Sequence, residues 1–501
     1  MTLLILLLII SALILAVISI IYLYLSWNFK YWQKRGIKGP KPILIAGTFT
    51  KSRQGICNLI DELHEIYLHY KTTEKFVGLF SGRSPKLFIV EPKLAVQILT
   101  QHFKHFRDNE SSKWTSPKVE KLRLCSPFVT TGDAWKERRA EFTPPLSINR
   151  LRAFYPTMRE SAQKLVDFIK DRPNEFLDTK ELSNRYTTEF ISNFIWGLEA
   201  NAFTSAELSP IHEMANKMLL QSLKCVAYYI RTATWPWLRL LKPVPFFAPA
   251  ADRFFMKLAA DASGARLKSS TERCDVINHL LQLKEKKTLT DVQIAGHTTT
   301  VLIDGFETVA NVISHFLLLL SRNDRVQEKL RQELINTAED ITFDELNELP
   351  YLDQCLHESL RIFPPLTILF KICTEEITLE NSNNSKVKIN PDDVVCISSY
   401  SFQHDADFYE NPEDYWPERF DEAFGGLRKY REMGVYLPFG DGPRICPGMK
   451  LGLVEAKVVI WKTLRNFKLK PSERTRKDNK IMSSSFLLTV DGNIEILFED
   501  L

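Results

Sequence analysis

Pro438-Phe439-Gly440-Asp441-Gly442-Pro443-Arg444-Ile445-Cys446-Pro447-Gly448 sets three glycines and three prolines around a single cysteine. That composition predicts a tight, irregular loop. Its small residues let a large flat ligand approach the backbone. Met449 to Phe467 reads as a helix. Cys446 therefore sits just before a helix N-terminus, whose partial positive charge favours a thiolate. Arg444, two residues away, suits a cofactor carboxylate with its rigid fork.

The fixed positions Phe439-x-x-Gly442-x-Arg444-x-Cys446-x-Gly448 resemble the haem-binding signature of the cytochromes P450 at all five places. The resemblance implies that Cys446 is the axial ligand of a haem b iron, that Arg444 binds a haem propionate, and that Phe439 packs beside the sulfur. A thiolate ligand pushes electron density onto iron and favours O–O cleavage.

Upstream segments follow in the order the family has. Glu358 and Arg361, spaced i, i+3, share one helix face. Pro417-Glu418-Arg419-Phe420 comes next. By resemblance, Glu358, Arg361 and Arg419 form a buried structural network behind the haem loop. The E-x-x-R spacing recurs at Glu120/Arg123, Glu328/Arg331 and Glu473/Arg476. Those three are expected to be solvated ion pairs worth ~0–1 kcal/mol each. Trp135 and Arg139 share a face of another helix and resemble the family's propionate-binding pair. Lys371 stands where many relatives carry a propionate-binding arginine; lysine keeps the charge and loses the fork.

The stretch 290–320 has a long, mostly apolar helix pattern with Asp304-Gly305-Phe306-Glu307-Thr308 near its middle. A mid-helix glycine costs about 1 kcal/mol, so it invites a reason, such as close approach to a flat cofactor. The Thr308 hydroxyl is placed to bond back to the carbonyl of Asp304 and bend the helix locally. This resembles the family's oxygen-activating motif, which assigns proton delivery to Thr308 and Glu307 and a cofactor-facing place to Gly305. Asp304 departs from the family, which has a small residue there. Either its carboxylate points away from the haem or it shapes the pocket for a polar group.

Leu3 to Trp27 carry no charge. A helix of this length, at ~1.5 Å per residue, spans the ~30 Å hydrocarbon core of a bilayer. Tyr22, Tyr24 and Trp27 mark its interfacial end. Lys30, Lys34, Arg35 and Lys38 put the following domain on the cytoplasmic side. Residues 1–28 are thus expected to be a membrane anchor, 29–42 a basic and proline-rich hinge in which Gly36, Gly39, Pro40 and Pro42 form a stiff, helix-free stretch, and 43–501 one catalytic domain. The apolar run containing Trp235, Pro236, Trp237, Leu238, Leu240, Leu241, Val244, Phe246 and Phe247 reads equally well as a second membrane contact or as core.

The chain has 501 residues, 45% of them hydrophobic, and a formal net charge of +4. So small a charge argues against nucleic-acid binding. Eight scattered cysteines without a CxxC pair are no disulfide framework. Helical patterns fall near 133–143, 151–171, 178–197, 207–230, 272–285, 290–320, 322–337 and 351–362. Strand-like runs fall at 76–80, 86–90, 368–373, 386–398 and 481–498. The fold class is mainly α with a small β portion, and the resemblance implies the cytochrome P450 fold.

The resemblance implies a monooxygenase of the endoplasmic reticulum (microsomal) membrane, most similar to insect members that handle lipophilic xenobiotics or hormones. It would insert one atom of O2 into a lipophilic molecule and reduce the other to water with two electrons. No glycine-rich dinucleotide fingerprint is present, so the electrons are expected from an NADPH-dependent flavin reductase, with a small electron-transfer haem protein as a further partner. Lys136, Arg138, Lys450 and Lys457 are candidate docking charges. Two rivals are a haem-thiolate isomerase or dehydratase and a non-catalytic anchored haem or lipophile binder. The Glu307-Thr308 pair argues against the first. By resemblance, the pocket walls are 112–131, 205–247, 297–308, 366–372 and 483–488.

Overall fold

The computed structural model describes residues 2–501 except 117, 205–208, 236, 239–242 and 270–272. The expected helix starts at 207 and 272, together with Pro236, Leu240 and Leu241, lie outside the described residues. Helix α1 (Thr2–Ser26) has its apolar side chains facing outward along nearly its whole length. Its stretch Leu3–Ser26 has a mean hydropathy of 3.4, long and apolar enough to cross a membrane.

Residues 29–42 are no free hinge. Gln33–Arg35 form a 3-10 turn, ended by Gly36 at φ 72°. Trp32 is 2% exposed, and its indole N–H donates to the Leu79 carbonyl at 3.2 Å. Gly78 lies so close that a Cβ there would meet the Trp32 side chain at 2.3 Å. Arg35 pairs with Asp393 at 3.3 Å and Lys38 with Glu74 at 2.6 Å. From Gly36 to Pro42 the chain holds no helix; the 3-10 turn lies before the prolines, so an apolar tryptophan is free to anchor it.

That strap packs on a five-stranded sheet of order β1-β2-β5-β4-β3. The strands are β1 (Phe76–Ser81), β2 (Ser84–Ile89), β3 (Asp108–Asn109), β4 (Ile368–Ile372) and β5 (Val394–Ser398). β1 and β2 form an antiparallel hairpin, β5 runs parallel to β2, and β4 antiparallel to β5. Asn109 of β3 sits opposite Lys371 of β4. The expected run 386–398 divides between two sheets. Lys386–Ile389 pairs with Ile377–Glu380, whereas β5 is a central strand.

The helices that frame the site include α2 (Gly132–Phe142), α3 (Ile148–Lys170), α4 (Thr179–Trp196), α5 (Asp291–Arg322), α6 (Pro350–Ile362) and α7 (Met449–Asn466). α5 starts at a capping box: the Thr290 hydroxyl accepts from the Gln293 N–H, and the Gln293 side chain accepts from the Thr290 N–H. α5 is also long and apolar enough to span a bilayer, but most of it is buried. It crosses α4 and packs against α7, with Phe190, Phe194, Ile313, Phe316, Val458 and Trp461 in one core. A second core lies under the sheet around Phe76, Phe88, Ile397 and Tyr409.

The apolar run at 235–247 divides as well. Trp235 stacks on Tyr24 at the end of α1, 6.0 Å between centroids, and Trp237 beside it is half exposed. Phe247 is buried in the helical core.

Candidate active site

The cysteine loop is a folded object with few degrees of freedom. Gly440 and Gly442 hold φ of 71° and 69°, the left-handed region that glycine tolerates. A Cβ on Gly442 would lie 2.0 Å from the Leu99 carbonyl oxygen. The Cys446 N–H donates to the Phe439 carbonyl at 3.0 Å and closes the loop on itself. α7 begins three residues later.

Behind the loop lies the charge network. Arg361 donates to both oxygens of Glu358 at 2.7 and 2.9 Å, and Arg419 Nε reaches Glu358 Oε1 at 3.0 Å. All three side chains are buried. Gln403, which carried no sequence signal, links this network to the loop. Its carbonyl accepts from Arg361 at 2.8 Å, and its side-chain oxygen accepts from the Leu437 N–H at 3.1 Å.

Cys446 opens onto a cavity of about 450 Å3. All five segments expected to wall the pocket contribute, through Trp114 and Arg123, Leu219 and Phe246, Val301 and Ile303, Leu366 and Lys371, and Phe486 and Leu487. Phe439, Trp135, Arg139, Arg444, Gly305, Glu307 and Thr308 line the same cavity.

Its electrostatics are uneven. Burial pushes the Cys446 thiol up to about 11, although the Gly448 and Met449 N–H groups and Arg139 pull the other way. Arg444 donates to the carbonyls of Arg107, Pro127 and Thr130 at 2.9, 2.6 and 3.0 Å, and lies over the Trp135 ring at 4.4 Å. Arg139 donates to the Ile445 carbonyl at 2.7 Å. Buried Lys371 donates to Asn109 at 2.7 Å, and burial, with Arg444 nearby, pushes it down to about 7. Arg139 and Arg444, the latter also paired with Asp108 at 3.3 Å, thus bring cationic character to the cavity, and Lys371 adds only part of a charge.

On α5, the Thr308 hydroxyl donates to the Asp304 carbonyl. Glu307 pairs with Lys180 of α4 at 2.8 Å, a partner that spacing alone did not reveal. Gly305 has a packing reason: a Cβ there would meet Ile191 of α4 at 2.7 Å. It permits a close approach to that neighbouring helix, and Gly305 also borders the cavity. The Asp304 side chain opens onto the cavity, and burial raises its carboxyl to about 7 against the pull of Arg123.

Two expectations are corrected. Glu120 and Arg123 are buried, at 1% and 5% exposure, rather than solvated. Lys457 is buried and paired with Asp353 at 2.8 Å, so it is no surface docking charge.

A family profile described as Cytochrome P450 matches residues 37–498. The chain is 40% identical over 489 residues to "Probable cytochrome P450 28d1" of Drosophila melanogaster, covering 96% of this chain and 97% of that one. It is 36% identical over 496 residues to "Probable cytochrome P450 28a5" of the same organism, 97% and 98% of the two chains. It is 27% identical over 510 residues to "Cytochrome P450 6k1" of Blattella germanica, 95% and 94% of the two chains. Near-complete matches of this kind, on a mainly α fold with a small β portion, mean that the chain belongs to the cytochrome P450 family of haem-thiolate monooxygenases.

Proposed function

We propose that this chain is a microsomal monooxygenase that inserts one oxygen atom of O2 into a lipophilic xenobiotic, steroid hormone or fatty-acid-like molecule, with electrons from an NADPH-dependent flavin reductase. The observation that carries the reading is one cavity that gathers a lone thiol, the Arg139 and Arg444 cations and the Thr308–Asp304 turn.

The residues present fit a haem b. Cys446 is a single soft donor beside small residues, and Gly448 adds no bulk, since a Cβ there would lie 3.9 Å from the sulfur. Cys446 would hold the iron, and Arg139, Arg444, Trp135 and Lys371 would hold the propionates. Phe439 packs beside the sulfur and Gly305 borders the pocket. When bound, the haem supplies the one-electron and O2 chemistry that amino acids lack.

The chain's own residues manage protons and water. Thr308 holds a hydroxyl proton at the cavity surface, directed at the Asp304 carbonyl. Glu307, held by Lys180, is an acid one residue away that relays protons inward from α4. Phe246, Ile303 and Leu366 are apolar walls that favour a lipophilic guest. Glu358, Arg361 and Arg419 hold the loop from behind and touch no substrate.

α1 anchors the chain in the endoplasmic reticulum membrane, and the basic residues after it keep the body, residues 43–501, on the cytoplasmic side. Trp237, exposed beside Trp235 and the end of α1, dips into the same interface.

The test is product formation with reconstituted NADPH reductase on a panel of steroids, fatty acids and plant toxins. The expected result is oxygenated product that needs NADPH and O2. It is lost in Cys446→Ser, and in Thr308→Ala NADPH is consumed with little product. Turnover of a lipid peroxide without NADPH would instead make the protein an isomerase or dehydratase. Tight binding with no product would make it a binder.

A further inference from the structure

Ile43-Leu44-Ile45 forms the tip of a very tight turn just after the prolines of the strap. Ile43 and Gly47 exchange both backbone hydrogen bonds at 2.8 Å, and the Ala46 N–H donates to the Leu44 carbonyl at 2.8 Å. That three-residue ring holds Ile45 at φ 67°, a left-handed value that glycine and asparagine tolerate and a β-branched residue resists. Turn tips are ordinarily built from glycine, asparagine, aspartate or serine. Here Ile43, Leu44 and Ile45 are 57%, 37% and 52% exposed. The base of the turn is fixed on β1. The Thr48 N–H donates to the Phe80 carbonyl at 2.8 Å, and a Cβ on Gly47 would lie 2.2 Å from that same oxygen. A short series of contacts ties the tip to the end of α1. The Thr234 hydroxyl donates to the Ile45 carbonyl at 3.4 Å, and Trp235, the next residue, stacks on Tyr24. Lys30 and Lys41, between α1 and the tip in sequence, are exposed and have no ion pair among the described residues.

We propose that Ile43, Leu44 and Ile45 are a second, shallow membrane contact, seated where the headgroups meet the acyl chains of the bilayer that α1 crosses. This deepens the reading of α1 as the anchor and rests on it. Strain at Ile45 and apolar surface in water are both unfavourable. Moving three branched side chains among acyl chains offsets both, which gives the chain a reason to keep isoleucine where glycine would be unstrained. The level agrees. Tyr24 belongs to the aromatic end of α1, where tyrosine and tryptophan favour the headgroup layer, and its contacts through Trp235 and Thr234 bring the tip to that layer. The occupant is lipid rather than protein on grounds of size and charge. A stable protein contact buries on the order of 800 Å2 per partner, and three side chains on one turn offer far less. Unpaired lysines beside an apolar tip match the phosphates of a lipid surface.

The test uses the haem-loaded full chain in phosphatidylcholine nanodiscs that contain a phosphatidylcholine with a diazirine high on one acyl chain. After irradiation, lipid adducts are mapped by proteolysis and mass spectrometry. Adducts are expected on residues 43–45 as well as on α1. The double variant Ile43→Ser with Ile45→Asn keeps a residue that tolerates the left-handed turn. It is expected to cut adducts on 43–45 at least threefold and to leave α1 labelling and haem absorption unchanged. Adducts on α1 with none on 43–45 in the unmodified chain overturn the proposal and keep the anchor. A tip shielded from lipid by a second copy or another protein gives that same pattern and has the same meaning. Labelling of 43–45 undiminished in the double variant also overturns it, since the tip would then lie near lipid without its apolar side chains holding it there. Adducts on 43–45 with none on α1 would remove the spanning anchor and keep this contact.

Discussion

Glu358 carries more than its two arginines. It also accepts from the Trp416 N–H at 3.1 Å, with no water-facing surface to share the charge. Replacing it by glutamine leaves two buried guanidinium groups without a counter-charge, at a cost of about 3–5 kcal/mol. Glu358→Gln is expected to lower Tm steeply and to reduce haem retention with it. Glu328→Gln, at an exposed pair of the same spacing, should leave both near wild type. Calorimetry and the haem-to-protein absorbance ratio decide; equal effects would mean that burial is not what matters. The sequence contains four E-x-x-R spacings, and only their order relative to the cysteine loop singled out this one. Spacing says which residues share a helix face and nothing about which face meets solvent. For that reason Glu120/Arg123 was misread as solvated. Gln403 was invisible for another reason: its role depends on a fold that brings it beside Arg361 and Leu437, far from it along the chain.

At the scale of elements, α2 matters because it brings Trp135 and Arg139 to the cavity. It is clamped by Glu141, which accepts from Arg138 at 2.5 Å, His297 of α5 at 3.0 Å and Lys287 at 2.8 Å. Burial alone would raise this carboxyl, but those three partners overrule it and hold it down to about 2, from 4.5 for a free glutamate. A depressed folded value means that the clamp stabilises the protein fully above pH ~4.5 and loses that contribution as pH falls toward 2. Glu141→Gln should therefore lower Tm at pH 7, and its gap from wild type should shrink between pH 5 and 3. A gap constant with pH would show the glutamate to be a packing residue only. Long helices with a wide apolar stripe were legible from the sequence. Pro92–Leu99 and Phe343–Glu348 are shorter. Pro249–Lys268 buries Ala251, Phe255, Ala259 and Ala262, a stripe of small residues with little hydrophobic contrast. The run 386–398 is divided at Asn390-Pro391-Asp392-Asp393, a polar break in its apolar pattern that turns at Asp392, φ 73°.

For the molecule as a whole, the proposed reductase partner would be steered by surface charge near the thiol side. Of the four cations expected there, Arg138 belongs to the Glu141 clamp and Lys457 is buried, which leaves Lys136 and Lys450 exposed. Lys450→Glu is expected to slow reductase-driven haem reduction several-fold at low salt. The difference should fade as ionic strength rises, with haem content unchanged. A stopped-flow rate that is unaltered and indifferent to salt would remove Lys450 from the docking face. The fold class was legible because one loop, two paired motifs and an apolar first helix each point the same way. How the first helix meets the rest was not, since proline and basic residues describe a spacer as readily as a strap. The wedge of Trp32 into the space left by Gly78 has a mechanical meaning. A body tied to a bilayer by slack chain tumbles like a buoy, and every face meets the lipid in turn. With its stalk keyed into the sheet, this one stands at a set tilt, so the level at which a dissolved guest reaches the cavity is decided during folding rather than by rotational diffusion.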